Sequence, residues 1–392
     1  MVEPLLLVGI LVAGFAGYAI GGTSVGPAFA PAVGANVVSK MTAAALMAVF
    51  FFIGAYTIGR RVVDTLGRDI MHDPGVFTLE TSVVILFFIG LALTIGNVFG
   101  VPSSTSMSTV GAIGGLGMAT GQLNWAVIGE IAIWWIVSPV LAFWLSAVVG
   151  RYLYPRINRF IAIQRGKHRV IIFERKGPIP VPRTTDDATS REVVGATVVI
   201  GIGCLMAFSA GTSNIANVIA PLVGSGDLEI NRGIVIGSIA VAIGAFTIGR
   251  RTMETLGGDI TDMPLTAAIV VAVISGTIVV LLSWIGIPAS FVVIATFSIV
   301  GLGWGRATRM TPLEDALLAQ KPTEVSVGAL AGDREGKELP RIGEENPSDI
   351  PSASDLFNPS TTARVVAMQN LVPLVATVGS YVTFEFVPIW GF

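Results

Sequence analysis

Four stretches of this chain place hydroxyl and amide side chains beside glycine and proline inside otherwise apolar sequence. They read GGTSVGPAFAPAVGA (21–35), GVPSSTSMSTVGA (100–112), GTSNIANVIAPLVG (211–224) and GIPASFVVIATFS (286–298). The groups they offer are neutral hydrogen-bond donors: Thr23 and Ser24 in the first; Ser103, Ser104, Thr105 and Ser106 in the second; Thr212, Ser213, Asn214 and Asn217 in the third; Ser290 in the fourth. Gly21, Gly22 and Gly211 carry no Cβ, so backbone N–H groups there can approach a ligand closely. Pro27, Pro31 and Pro102 suggest helices that begin just after the polar residues, with free N–H groups and a positive dipole end. Such an arrangement holds a small oxyanion without a formal positive charge. Any one of these segments alone is better read as small-residue packing between membrane helices. Four of them at repeat-related positions favour a binding site instead. The fourth has Phe291 and Val292 where the second has hydroxyls, so the site is expected to be asymmetric.

Other reactive side chains are few. His72 and His168 both lie in charged connecting segments, which gives a His-based metal centre little support. Cys204, the one cysteine, sits in an apolar run, so disulfides within the chain are impossible. Glu130, in NWAVIGEIAIWW, is the acid placed deepest in an apolar stretch. Carboxylates at membrane depth are usually functional, which makes Glu130 the candidate for coupling transport to a cation, with Glu385 a weaker one.

The elements that must position these groups are membrane helices. Of 392 residues, 53% are hydrophobic and 13% charged, too few charges to coat a water-soluble globule. Roughly 20 apolar residues cross the hydrocarbon as a helix, and runs of that kind cover about 4–20, 40–59, 82–100, 123–149, 193–210, 231–249, 265–286 and 364–390. The polar stretches at 21–38, 101–120, 211–224 and 287–304 are expected to be broken or re-entrant. Such backbone survives at membrane depth only when buried in protein or lining a wet cavity. The opening residues lack a basic n-region and read as a first membrane segment, not a cleaved leader.

Residues 151–192 carry ten Lys/Arg against four acids, which places this loop in the cytoplasm. Residues 305–363 are rich in Pro, Glu and Asp, and read as a polar insert, mobile or loosely folded, before a final helix at 364–392. The membrane part is duplicated. IGAYTIGRRVVDTLGRDI (53–70) returns as IGAFTIGRRTMETLGGDI (243–260), identical at 13 of 18 positions, and APAVG (30–34) returns at the same offset as APLVG (220–224). GVPSS (100–104) returns as GIPAS (286–290). The chain therefore divides into a first repeat (1–150), the basic loop, a second repeat (193–304), the insert and the last helix. Duplication with interrupted apolar segments at matching places is the pattern of a secondary transporter. The pairs Arg60–Arg61 and Arg250–Arg251 occupy equivalent points, which by charge alone would favour parallel repeats, so the relative orientation stays open.

These residues carry a family resemblance. GTSNIANVIAPLVG resembles the GANDVANAIGPLVG-type signature of the inorganic phosphate transporter (PiT) family, and GVPSSTSMSTVGAIGGLG resembles its P-x-S-T-T-H-x-x-x-G-A signature. The resemblance covers nearly the whole membrane portion. It implies inverted repeats, cation-coupled uptake, and an oxyanion held between the halves near mid-membrane. By position, Thr23 and Ser24 stand where the family has Asn-Asp, as do Ser213 and Asn214 in the second half. Asn217 keeps the family's second Asn, Pro27 replaces it in the first half, and Met107 stands where the family has His. Both signature carboxylates are therefore missing, and in this respect the chain looks like the family's sulfate-permease branch.

The fold expectation is all-α: a polytopic protein of the cell membrane with two homologous repeats and re-entrant or broken helices. The functional expectation is a cation-coupled symporter of phosphate, with sulfate as the alternative. Sulfate carries no proton at neutral pH and wants donors only, which Thr23, Ser24, Ser104, Thr105, Ser106, Ser213 and Asn214 provide. The anion set is Gly22, Thr23, Ser24, Ser104, Thr105, Ser106, Thr212, Ser213, Asn214, Asn217 and Ser290, with Na+ or H+ as the coupling ion and no cofactor or resident metal. An anion channel is the rival reading. An enzyme is not expected, because the membrane portion has neither clustered acids nor a Ser–His–Asp set. The partners are the anion, the coupling ion and the lipid bilayer, not nucleic acid; a homodimer stays open.

Overall fold

The computed structural model describes residues 4–34, 37–98, 104–161, 171–174, 181–184, 190–250, 253, 265–308 and 359–387. The descriptions below concern these. Helix α1 spans Pro4–Gly34. Helix α2 runs over Lys40–Asp69 and is interrupted by two π-turns, Ala55–Gly59 and Thr65–Asp69. It is followed by α3 (Leu79–Val98), α4 (Thr105–Ala119) and α5 (Trp125–Val148), the last continuing through a π-turn into Tyr154–Ile161. The second half has α6 (Ser190–Gly224), α7 (Ile230–Phe246), α8 (Leu265–Trp284) and α9 (Phe291–Ala307), and α10 (Pro359–Phe386) closes the chain. The basic loop adds one short antiparallel hairpin, Ile171–Glu174 with Val181–Thr184. This hairpin is an addition to the all-α expectation.

Five of the helices are long and apolar enough to cross a membrane, and three shorter apolar ones accompany them. The outward faces carry large apolar side chains, such as Ile133 and Ile136 on α5, as a lipid-facing surface requires. The insert expected at 305–363 lies mostly outside the described residues, and α10 begins at Pro359.

Two expected breaks do not occur. Helix α1 continues through Pro27 and Pro31, and α6 continues through Pro221. Gly22–Ser24 and Thr212–Asn217 therefore sit in mid-helix, and no helix begins just after them. A proline removes a single N–H and can be tolerated in a membrane helix when neighbours pack around it. It leaves the carbonyl four residues earlier without its helical donor: that of Thr23 for Pro27, and that of Asn217 for Pro221. The other two breaks are real, because α4 and α9 both start within the chain's apolar body at Ser104 and Ser290.

Glycine contacts define how the halves meet. A Cβ on Gly21 would lie 1.9 Å from the Val241 carbonyl oxygen, and one on Gly211 would lie 2.0 Å from that of Phe51. Gly54 against Phe208 and Gly244 against Tyr18 repeat the exchange. Residues 190 apart thus swap partners, α1 on α7 and α6 on α2. Helices α1 and α6 also touch, with Gly9 near Leu222, Gly17 near Val218 and Gly203 near Phe29. Position rises along one helix as it falls along the other, so they cross in opposite directions.

Candidate functional site

Helices α4 and α9 begin on capping serines. The Ser104 hydroxyl accepts from Met107 N at 3.2 Å, and the Ser290 hydroxyl accepts from Val293 N at 3.4 Å. Both serines are buried. A cap satisfies one of the free N–H groups of a first turn and leaves the positive dipole end in place. It uses the hydroxyl oxygen as an acceptor, so each serine keeps its O–H proton to donate.

Both starts face one cavity of about 120 Å³, room for several waters or one tetrahedral oxyanion. Its polar lining is Thr23 and Ser24 from α1, Ser104 and Thr105 from α4, Asn214 from α6, and Ser290. Among the described residues, no carboxylate, histidine or basic side chain lines it. Asn214 Oδ1 accepts from Thr105 Oγ1 at 2.8 Å and from Asn217 Nδ2 at 3.2 Å. Its amide N–H groups are what remains to face the cavity. The Thr23 hydroxyl is back-bonded to Ala19 O and Ile20 O at 3.1 and 3.2 Å. Among the described residues, the donors left uncommitted are the hydroxyls of Ser24, Ser104 and Ser290 and the Asn214 amide. Thr105 could donate to a ligand only by leaving Asn214, at a net cost of about 1 kcal/mol.

Five of the eleven sequence candidates lie off the cavity. Gly22 packs against Ile248. Thr212 is buried and donates to Ser209 O. Ser106 and Ser213 both donate to Ala289 O at 2.9 Å, and so hold the segment that leads into Ser290. Asn217 lies one turn beyond Asn214, with its Oδ1 buried and without a hydrogen-bond partner. Glu130 and Glu385 are exposed on the outer faces of α5 and α10 and do not line the cavity. Ser103 falls outside the described residues. Leu93, Met206 and Ala210, which the polar motifs did not flag, also line the cavity. The signal was present in part: Met206, Ala210 and Asn214 recur every four residues, as do Ala19, Thr23 and Pro27, the spacing of one helix face.

A family profile described as the phosphate transporter family matches residues 20–332. The chain belongs to that family. It is 29% identical over 301 residues to the sulfate permease CysP of Bacillus subtilis, covering 76% of this chain and 77% of the relative. It is 24% identical over 400 residues to a protein of Pyrococcus furiosus named as a phosphate permease, covering 85% and 96%. Among solved structures, a sodium-dependent phosphate transporter superposes with a TM-score of 0.63 at 19% identity, over 98% of this chain and 100% of that one. At that identity the likeness establishes the shared fold. Family and architecture make this a multi-pass membrane transport protein.

Proposed function

We propose that this chain is a sodium-coupled symporter that prefers sulfate, and that the oxyanion sits in the cavity between the α4 and α9 N-termini. The carrying observation is the character of that cavity: uncommitted neutral hydroxyl and amide donors and, among the described residues, no carboxylate to accept a phosphate proton. Phosphate at neutral pH keeps one or two protons, each needing an acceptor in a closed site. Asn214 Oδ1 is already occupied twice, which leaves neutral hydroxyl oxygens and the Thr23 carbonyl, weaker acceptors than a carboxylate. A phosphate O–H left unpaired there would cost about 1–3 kcal/mol, which corresponds to a preference for sulfate of roughly 5- to 150-fold. The 29% identity to a sulfate permease supports the same choice.

Sodium is favoured over the proton because no titratable group lines the cavity. Asn217 also offers an unpartnered Oδ1 and a carbonyl freed by Pro221. Those are hard oxygen acceptors of the kind a small cation takes in broken transporter helices. The opposite directions of α1 and α6 support an inverted pair of repeats alternating around this site. Phosphate is the second reading, supported by the family's description and by the named phosphate permeases.

Reconstitution into liposomes tests the proposal, with uptake of labelled sulfate and phosphate measured while sodium and proton gradients are varied separately. Saturable, sodium-dependent sulfate uptake is expected. Saturable phosphate uptake that a tenfold excess of sulfate does not inhibit would sink the sulfate reading. Anion current without cation dependence would indicate a channel.

A further inference from the structure

The segment 285–290 joins α8 to α9 and ends on Ser290 in the cavity. Its inner end is tied by groups that are themselves wholly or partly buried. Trp135 Nε1 donates to Pro288 O at 2.7 Å, and Ser106 and Ser213 donate to Ala289 O. Its outer end is held differently. Trp284 is the last residue of α8, and the N–H groups of Ile285, Gly286 and Ile287 fold back onto Leu281, Leu282 and Ser283 carbonyls. The Trp284 carbonyl, at the negative end of the helix dipole, is taken by Arg61. Arg61 Nη1 donates to it at 2.6 Å, and the guanidinium lies 4.5 Å over the Trp284 ring.

Arg61 belongs to the duplicated IGRR sequence and lies between the two π-turns of α2, local departures from α-geometry that often mark functional positions. With the basic loop in the cytoplasm, α5 begins at the outer face. The Met71–Leu123 bridge puts the end of α2 at that face too, and Arg61 is then roughly 15 Å inward along the helix. Between latch and cavity, Gly286 has φ +84° and lies so close to Thr65 that a Cβ would be 2.8 Å from its hydroxyl. Both Arg61 and Trp284 are exposed. Opening their contact therefore unpacks no interior side chain, whereas the bonds at the inner end join wholly or partly buried groups.

We propose that Arg61 is a latch on the outer end of the α8–α9 turn, docked on Trp284 in this structure and released in each transport cycle while the turn pivots at Gly286. This rests on the transport reading above, and in it Arg61 acts through the turn and does not touch the anion.

The test uses the full-length protein with Cys204→Ala, carrying Arg61→Cys and Trp284→Cys, reconstituted in liposomes and treated with a short bifunctional methanethiosulfonate cross-linker. Sulfate uptake should fall at least fivefold on cross-linking and return when a reductant cleaves the bridge. Uptake unaffected by confirmed cross-linking would make the contact a static brace and overturn the latch. A second measurement avoids the double cysteine. Arg61→Met and Trp284→Leu should each change the uptake rate about threefold or more, and together no more than the larger single effect. Additive effects would show that the two residues act separately and would also overturn it. Unmodified protein that transports neither sulfate nor phosphate would remove the transport reading itself, a result distinct from a static brace in an active protein.

Discussion

With its Oδ1 held by Thr105 and Asn217, Asn214 has only N–H groups to turn toward the cavity, and aspartate is the side chain of nearly equal size that reverses this. Asn214→Asp is expected to lower sulfate uptake about tenfold or more, through like-charge repulsion and the loss of the amide donors. The ability of phosphate to compete should rise in the same variant, because a carboxylate accepts its proton. Competition assays with both anions measure the exchange. The capping serines are a second case. Removing either hydroxyl deletes a cap bond and a donor together, so Ser104→Ala and Ser290→Ala should each raise the sulfate KM by about three- to tenfold. Neither change in KM would mean that the two helix starts do not hold the anion.

Among the elements, the contact of α2 with α6 depends on the absence of a side chain. A Cβ on Gly211 would meet the Phe51 carbonyl oxygen at 2.0 Å, backbone that cannot step aside cheaply. Gly211→Ala should destabilise the protein by about 1–3 kcal/mol through overpacking, seen as a lower unfolding temperature in detergent. The same change at Gly14, which has open space around it, should leave that temperature unaltered. Continuity of α1 and α6 has its own consequence. Their polar residues reach the cavity only from the side of each helix that faces it, so Thr23, Ser24 and Asn214 line it while Thr212 and Ser213 turn elsewhere.

For the whole molecule, the inverted arrangement proposed from the opposite crossing of α1 and α6 predicts equivalent loops on opposite sides of the membrane. A cytoplasmic basic loop, as its charge predicts, would have α6 rise from Ser190 to end near the outer face and α2 begin at Lys40 on the inner one. An impermeant thiol reagent applied outside should label Ser225→Cys and spare Lys40→Cys in a Cys204→Ala background; labelling of both or neither would refute the inverted arrangement. Glu130 belongs to this scale as well, because it faces outward from the bundle. Glu130→Gln should leave the pH dependence of uptake unaltered, measured between pH 5.5 and 8.

Composition and pattern alone were enough to read a helical membrane protein and to mark repeated motifs and four polar stretches, because apolar length and repeated motifs are local properties of a chain. The tertiary structure decided which marked residues do what. Ser106 and Ser213 are as polar as Ser104 and Ser290, yet the Ala289 carbonyl occupies them. Asn214 becomes a donor through Thr105, more than a hundred residues away in sequence. Proline at 27, 31 and 221 reads as a helix break, but packed neighbours carry both helices through. The orientation of the halves was likewise unreadable, since Arg60–Arg61 and Arg250–Arg251 are alike in sequence whichever way the second copy runs. A hydrogen-bonding group's role depends on which partner reaches it first, and only the folded chain brings those partners together.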